Sequence, residues 1–201
     1  MSYNFTTAKM KNNLTNAIII LLLFVVACSS QTDESTEIFV RVAELEIQRS
    51  DYTLGKTLTD KQKKTARRNA VDAASPGTYK FKDSDLYVVA DKATDRVLII
   101  YERYEPATRE KIRELVGDLF FVFGEPTVMG HDKTIYWAYG ADGKISEQKY
   151  KEAKDQKKAP QFLATVKLQS SHKIIDNTKP VIDGNVYYII SSEPLLKLLE
   201  K

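Results

Sequence analysis

The chain has 201 residues, with 30 Lys or Arg and 27 Asp or Glu, so its net charge at neutral pH is close to +3. This balance argues against a nucleic-acid-binding protein, which needs an excess of basic side chains to contact phosphates. Cys28 is the single cysteine and excludes a disulfide within the chain, so a folded domain must be stabilised by its core.

An apolar run at residues 17–27 ends directly before Cys28 and is followed by the polar residues 29–36. Runs of about 7–15 apolar residues are typical of signal-peptide cores, whereas a membrane-spanning helix needs about 20. Lys9 and Lys11 supply positive charge in front of the run. We therefore predict that residues 1–27 are a signal peptide, and we expect translation to start at Met10.

The junction Val25-Val26-Ala27-Cys28 resembles the lipobox of bacterial prolipoproteins. The resemblance implies that Cys28 becomes the mature N-terminus and carries lipid on its sulfur and its amine. At least two acyl chains are needed for a stable anchor, and a lipoprotein cysteine carries them. Ser29, where some lipoproteins have Asp, is similar to the pattern sent to the outer membrane. The implied location is the periplasm-facing envelope, with the bilayer as a partner; a free or buried cysteine is the alternative.

After a polar tether at residues 28–36, residues 37–201 are predicted to form a single α+β domain with a largely antiparallel sheet. Apolar periodicity and stop signals predict helices at residues 37–49, 59–74, 106–122 and 194–200. From Thr78 the sequence is rich in Val, Ile and Tyr. It predicts a sheet of about five strands, at residues 86–90, 96–104, 134–139, 163–170 and 186–191.

The predicted strands are apolar on both faces, although a sheet with one solvated face should alternate apolar and polar residues. Helix 106–122 can cover only one face, so the two N-terminal helices are expected to cover the other. The alternative is an aromatic patch that is open to a partner or ligand. Its candidate binding residues are Tyr136, Trp137, Tyr139, Tyr187 and Tyr188.

The sequence contains no recognisable constellation of catalytic or metal-binding residues. The two histidines, His131 and His172, are not part of a His/Cys cluster at ligand spacing. We therefore predict no enzyme activity, no cofactor and no metal. The charged segments 56–68 and 147–159 are expected to be solvated helix faces, with contact to anionic headgroups as the alternative.

One further motif bears on function. A helix followed by Phe123-Gly124-Glu125-Pro126 and an aromatic strand at residues 135–139 is similar to small lipoproteins that assist outer-membrane barrel assembly. That resemblance implies a non-catalytic module that binds another, unidentified envelope protein. A lipoprotein that binds a lipid or a glycan is the alternative, and a glycan hydrolase is the third hypothesis.

Overall fold

The structure is a computed structural model, and it describes residues 34–72, 75–130, 133–157, 161–171, 174 and 185–200. The predicted signal peptide, Cys28, His131 and His172 lie outside these residues. Within the described ranges, no helix is long and apolar enough to cross a membrane.

The N-terminal part of the domain contains two helices and a small hairpin. Helix α1 is Glu34–Glu44, strands β1 and β2 are Gln48–Arg49 and Tyr52–Thr53, and helix α2 is Asp60–Arg68. The two helices were expected here, but both predicted C-terminal ends are wrong. Glu46 has φ +52°, so the chain turns into β1. Asn69 ends α2, and Ala70–Val71 forms the short strand β3.

The main sheet is larger than the predicted sheet of five strands. The further strands are β4 Thr78–Asp83, β5 Leu86–Asp91, β6 Val97–Tyr104, β7 Val128–Gly130, β8 Thr134–Gly140, β9 Gly143–Lys144, β10 Ala164–Ser170 and β11 Val186–Ser191. In the described part of the chain it has nine strands, in the order β3-β4-β5-β6-β11-β10-β8-β7, with β9 also paired to β8. Every pairing is antiparallel, so the predicted α+β class with an antiparallel sheet is confirmed.

Three helices follow in the second half of the chain. Helix α3, Arg109–Phe123, begins after Thr108, whose side chain accepts a hydrogen bond from the Lys111 amide, and it ends at Gly124, which has φ +66°. Helices α4 and α5 are Glu147–Asp155 and Glu193–Lys197, and a 3₁₀ turn at Leu198–Glu200 follows.

One face of the sheet, the covered face, carries the core. Its central cross-strand row contains large side chains that are almost wholly buried: Phe81, Val88, Ile100, Ile190, Val166 and Trp137. Helix α3 packs Ile112, Leu115 and Leu119 into the same cluster of buried residues.

The N-terminal elements belong to this same layer. Phe39 and Val42 of α1 and Ala66 of α2 join the core cluster of the covered face. Tyr52 of β2 contacts Phe81 edge to face, with the ring centroids 5.7 Å apart. The expectation that these helices cover the second face is therefore wrong. They share the covered face with α3, because the sheet is wide enough for all of them.

Candidate functional site

The second face of the sheet, the open face, is only partly shielded. Its members alternate with the core residues along the strands, and most are half-exposed or exposed. They are Lys80, Lys82, Tyr87, Val89, Ile99, Tyr101, Arg103, Thr134, Tyr136, Thr165, Lys167, Gln169, Tyr187, Ile189 and Ser191. Their side chains are the accessible surface of the sheet.

The five aromatic residues predicted as binding candidates lie on both faces. Trp137, Tyr139 and Tyr188 belong to the covered face, whereas Tyr136 and Tyr187 belong to the open face. The register explains this division, since neighbouring residues of a strand point to opposite faces. The structure therefore does not bring the five side chains together on one surface.

Trp137 is fully buried, with 0% exposure. Its indole Nε1 donates a 2.7 Å hydrogen bond to the carbonyl of Gly124, the residue that ends α3. Phe120 and Phe123 of α3 lie with their ring centroids 5.7 and 5.9 Å from the indole. Trp137 thus fixes the end of α3 on the sheet and is not available to a partner in this structure.

Tyr188 is equally inaccessible, and burial raises the pKa of its phenol well above the ordinary range. The guanidinium of Arg49 lies 5.0 Å from its ring centroid. Tyr139 is half-buried, and burial raises the pKa of its phenol to about 12. These tyrosines support the core rather than an exposed patch.

Beside Tyr188, a polar cluster ties the β1–β2 hairpin to the covered face. Arg49 donates two hydrogen bonds to the carboxylate of Glu102, at 2.9 and 3.0 Å, and the hydroxyl of Tyr104 donates a third. The pKa of Tyr104 is raised by burial and by this bond to Glu102. Because the three side chains hydrogen-bond to one another, the cluster has a structural role: it holds the β1–β2 hairpin against the covered face.

The open face has a continuous central row that crosses seven strands. Directly paired residues place Lys82, Tyr87, Tyr101, Ile189, Lys167, Tyr136 and Val128 side by side, all of them half-exposed. At about 4.8 Å per strand, this row is roughly 29 Å long. It provides an extended amphipathic surface.

Tyr87 and Tyr101 form the aromatic part of this row. Their rings are stacked, with centroids 4.8 Å apart and planes inclined by 8°. Burial, followed by the neighbouring Tyr87, raises the pKa of the Tyr101 phenol. Tyr187 extends this group into the next row, where the Arg103 guanidinium lies 5.9 Å from its ring centroid. The arrangement is a flat surface of rings with cations at its margin.

Positive charge predominates on the open face. Lys80, Lys82, Arg103 and Lys167 are its basic residues, and Asp91, at the end of β5, is the carboxylate that its described strands contribute. Asp91 accepts hydrogen bonds from the amide and hydroxyl of Thr94 in the following turn. The described strands therefore give this face an excess of cations, although two of them already have acidic partners beside the strands, Asp85 for Lys82 and Glu105 for Arg103. Lys80 and Lys167 remain to complement an acidic ligand.

A cavity of about 390 Å³ opens beside the central row. It is lined by Tyr136, Phe162, Ala164, Thr165, Lys167, Ser191, Glu193 and Leu196. Its volume is near the lower limit of the roughly 300–1,000 Å³ typical of small-molecule pockets. The cavity thus combines aromatic and aliphatic walls with two charged residues, Lys167 and Glu193.

The described residues contain no group of three or more His, Cys, Asp or Glu side chains that could hold a metal ion. Cys28, the predicted lipidation site, is not among the described residues, and neither histidine is. The prediction that the protein is not an enzyme therefore remains a prediction.

Sequence reasoning did not single out Tyr87, Tyr101, Lys167 or Ile189. A signal for them exists, since their strands were predicted and each of these residues alternates along its strand with residues of the core. The missing information was the register between strands distant in sequence, which aligns Tyr101 with Ile189 and Lys167.

Comparison of the chain with protein-family models, with curated protein sequences and with solved structures found no match.

Proposed function

We propose that this protein is a lipid-anchored lipoprotein of the bacterial envelope and acts as a non-catalytic module that binds another envelope protein. The anchor is Cys28, and the domain faces the periplasm, with the outer membrane favoured over the inner because Ser29 follows the cysteine. The contact surface is the open face. The observation that carries this proposal is the central row from Lys82 to Val128, which lies outside the core and mixes rings with cations.

Size and composition support a contact of this type. The central row and the row of paired residues on each side of it together cover roughly 29 by 20 Å, which is about 600 Å². Transient complexes bury less than about 1,200 Å² in total, so the open face suits a reversible adaptor rather than an obligate subunit. Tyrosine and arginine are enriched at interface positions that contribute most to affinity, and Tyr87, Tyr101, Tyr187 and Arg103 supply them here.

The partner contact can be tested by photocrosslinking in intact envelopes. The photoreactive residue p-benzoylphenylalanine replaces Tyr101 or Tyr187 on the open face. The matched control carries it at Phe121, which is 92% exposed on α3, the helix that packs against the covered face. We expect one discrete protein to be captured from both open-face positions and not from position 121. Capture of the same proteins from all three positions, or of none, would contradict the proposal.

The anchor requires a separate experiment. We expect cells fed an alkyne-labelled fatty acid to label the wild-type chain and not a Cys28→Ser variant. The wild-type chain should fractionate with outer membranes and the variant should be released from them. A labelled Cys28→Ser chain would contradict lipidation at this residue, and unlabelled wild-type chain would contradict lipidation altogether.

The runner-up function is binding of a lipid or glycan, and the cavity beside Lys167 is the observation that favours it. Its lining includes the open-face residues Tyr136, Thr165, Lys167 and Ser191. Both functions would therefore use the same side of the sheet, and the occupant of the cavity distinguishes them.

A further inference from the structure

The cavity beside the central row has an aromatic wall. Tyr136 of β8 contacts Tyr150 of α4 edge to face, and Tyr150 is stacked with Phe162, each pair with centroids 6.3 Å apart. Leu196 of α5 and Ala164 of β10 contribute further apolar surface to the lining. Burial, followed by a hydrogen bond with Tyr150, raises the pKa of the Tyr136 phenol above its ordinary value. The wall suits a large apolar side chain.

Two charged residues contribute to the lining, Lys167 and Glu193. Glu193 forms an ion pair with Lys197, at 2.7 Å, one helical turn away. Among the described residues, the side-chain ammonium of Lys167 makes no ion pair or hydrogen bond. The cavity therefore presents one ammonium group next to apolar walls, and a carboxylate adjacent to an apolar group is the chemistry that complements it.

The charge of the open face limits which molecules can occupy the cavity. A second copy of the chain, docked face to face, would bring the cations Lys80, Lys82, Arg103 and Lys167 against their counterparts. Like charges opposed across an interface are unfavourable. An acidic segment of a different protein would instead meet the two cations of the central row, Lys167 and Lys82, of which Lys82 already lies 4.0 Å from Asp85.

We infer that the partner presents a short acidic segment with a large apolar residue, whose carboxylate pairs with Lys167 and whose apolar side chain enters the cavity beside Tyr136 and Phe162. The inference rests on the proposed function, because it names the chemistry of the protein that the open face binds. The rest of the segment lies along the row towards Tyr101 and Lys82.

Three amidated, acetylated hexapeptides test this recognition with the full chain in detergent. The probes are Glu-Glu-Phe-Glu-Glu-Leu, its charge-reversed form Lys-Lys-Phe-Lys-Lys-Leu, and its apolar-depleted form Glu-Glu-Ser-Glu-Glu-Ser. By calorimetry we expect only the first to bind measurably. Equal binding of the first and third probes would overturn the role of the cavity. Binding of the charge-reversed probe would overturn the role of Lys167.

Variants of the chain localise the contact. Lys167→Met keeps the apolar stem and should weaken binding of the first probe about tenfold or more. Lys80→Met, on the same face but outside the cavity lining, should weaken it less than about twofold. Thr165→Phe should fill the cavity and abolish binding with an unchanged urea midpoint. Equal effects of the two lysine variants would overturn the inference in favour of a diffuse basic surface.

Vesicles of phosphatidylglycerol provide the lipid arm. We expect the Cys28→Ser chain to bind them no more tightly than neutral phosphatidylcholine vesicles, and preferential binding abolished by Lys167→Met would overturn the inference. The two proposals fail separately. If photocrosslinking at Tyr101 still captures its partner in a Lys167→Met chain at wild-type yield, the proposed function stands and this inference fails. If the chain that keeps Lys167 captures no protein from Tyr101 or Tyr187, the proposed function fails irrespective of the peptides.

Discussion

Tyr136 and Trp137 are neighbours in the chain, yet they lie on opposite faces of the sheet. Trp137 is sealed under α3 and hydrogen-bonded to Gly124, whereas Tyr136 lines a cavity open to the surroundings. The covered face is largely apolar and includes the Arg49–Glu102 ion pair, whereas the open face mixes aromatic rings with basic side chains. Aromatic content alone therefore does not identify a binding surface. Strand register decides which ring stabilises the fold and which can meet a partner.

Substitutions at Trp137 and Tyr136 should differ most in their cost to stability. Trp137→Ala should lower the free energy of unfolding by about 3–5 kcal/mol, because it leaves a cavity under Phe120 and Phe123. Tyr136→Ala should cost about 1 kcal/mol, since the ring is half-exposed and makes one edge-to-face contact. Urea denaturation of the full chain measures both. Similar losses for the two variants would break the distinction between the faces.

The next largest difference in stability is expected between substitutions of charged residues on the two faces. Glu102→Gln should cost about 2–3 kcal/mol by urea denaturation, less than for a fully buried pair because Arg49 is 29% exposed. The control, Lys167→Met on the open face, should change stability by less than about 0.5 kcal/mol. A larger loss from the lysine variant would mean that Lys167 supports the fold rather than a ligand.

A smaller effect is expected within the open face. Tyr87→Ala removes the partner stacked on Tyr101 and should cost about 0.5–1.5 kcal/mol. Tyr101→Ala should cost a similar amount, and the double variant should lose less than the sum of both. A thermodynamic cycle built from these three unfolding energies checks the coupling. Strict additivity would show that the stack contributes nothing to stability and leave both rings to ligand contact.

The smallest of these changes in stability depends on pH. Hydrogen bonds from Lys63, at 2.9 Å, and from the Tyr79 hydroxyl, at 2.7 Å, hold the pKa of Asp95 below its ordinary value of 3.8. A lowered pKa in the folded state stabilises the fold above the unfolded pKa, and this contribution is lost as the pH falls through the folded pKa. Asp95→Asn should therefore be less stable than wild type at pH 6, with the difference shrinking below about pH 4. A difference independent of pH would show that these bonds do not require the carboxylate.

Much of the sheet could be predicted, because its central strands are long, apolar and bounded by turns. Strand β11 occupies residues 186–191 as predicted, and β6 differs by one residue at its start. The short strands β3, β7 and β9 could not be found. They have two or three residues, and tertiary pairing rather than local propensity defines them.

The candidate site could be predicted only in part. Of the five candidate binding aromatics, Tyr136 and Tyr187 lie on the open face, but Trp137, Tyr139 and Tyr188 were not separable from them by residue type. Alternation within one strand divides the residues into two sets. It does not say which set the helices cover, since α1, α2 and α3 could in principle have packed on opposite faces. That choice depends on contacts distant in sequence.

The edges of the sheet affect how readily crowded copies of this chain could add strands to one another. Among the described strands, one edge ends in the two-residue strand β3, and beyond β8 the other edge is divided between the short strands β7 and β9. Long flat edge strands present rows of unpaired backbone donors and acceptors to which further strands can pair, and this is a common route to fibrils. Edge strands of two or three residues offer few such groups to a strand from another chain. The protein can therefore expose a broad sheet face while its short edge strands disfavour the addition of further strands.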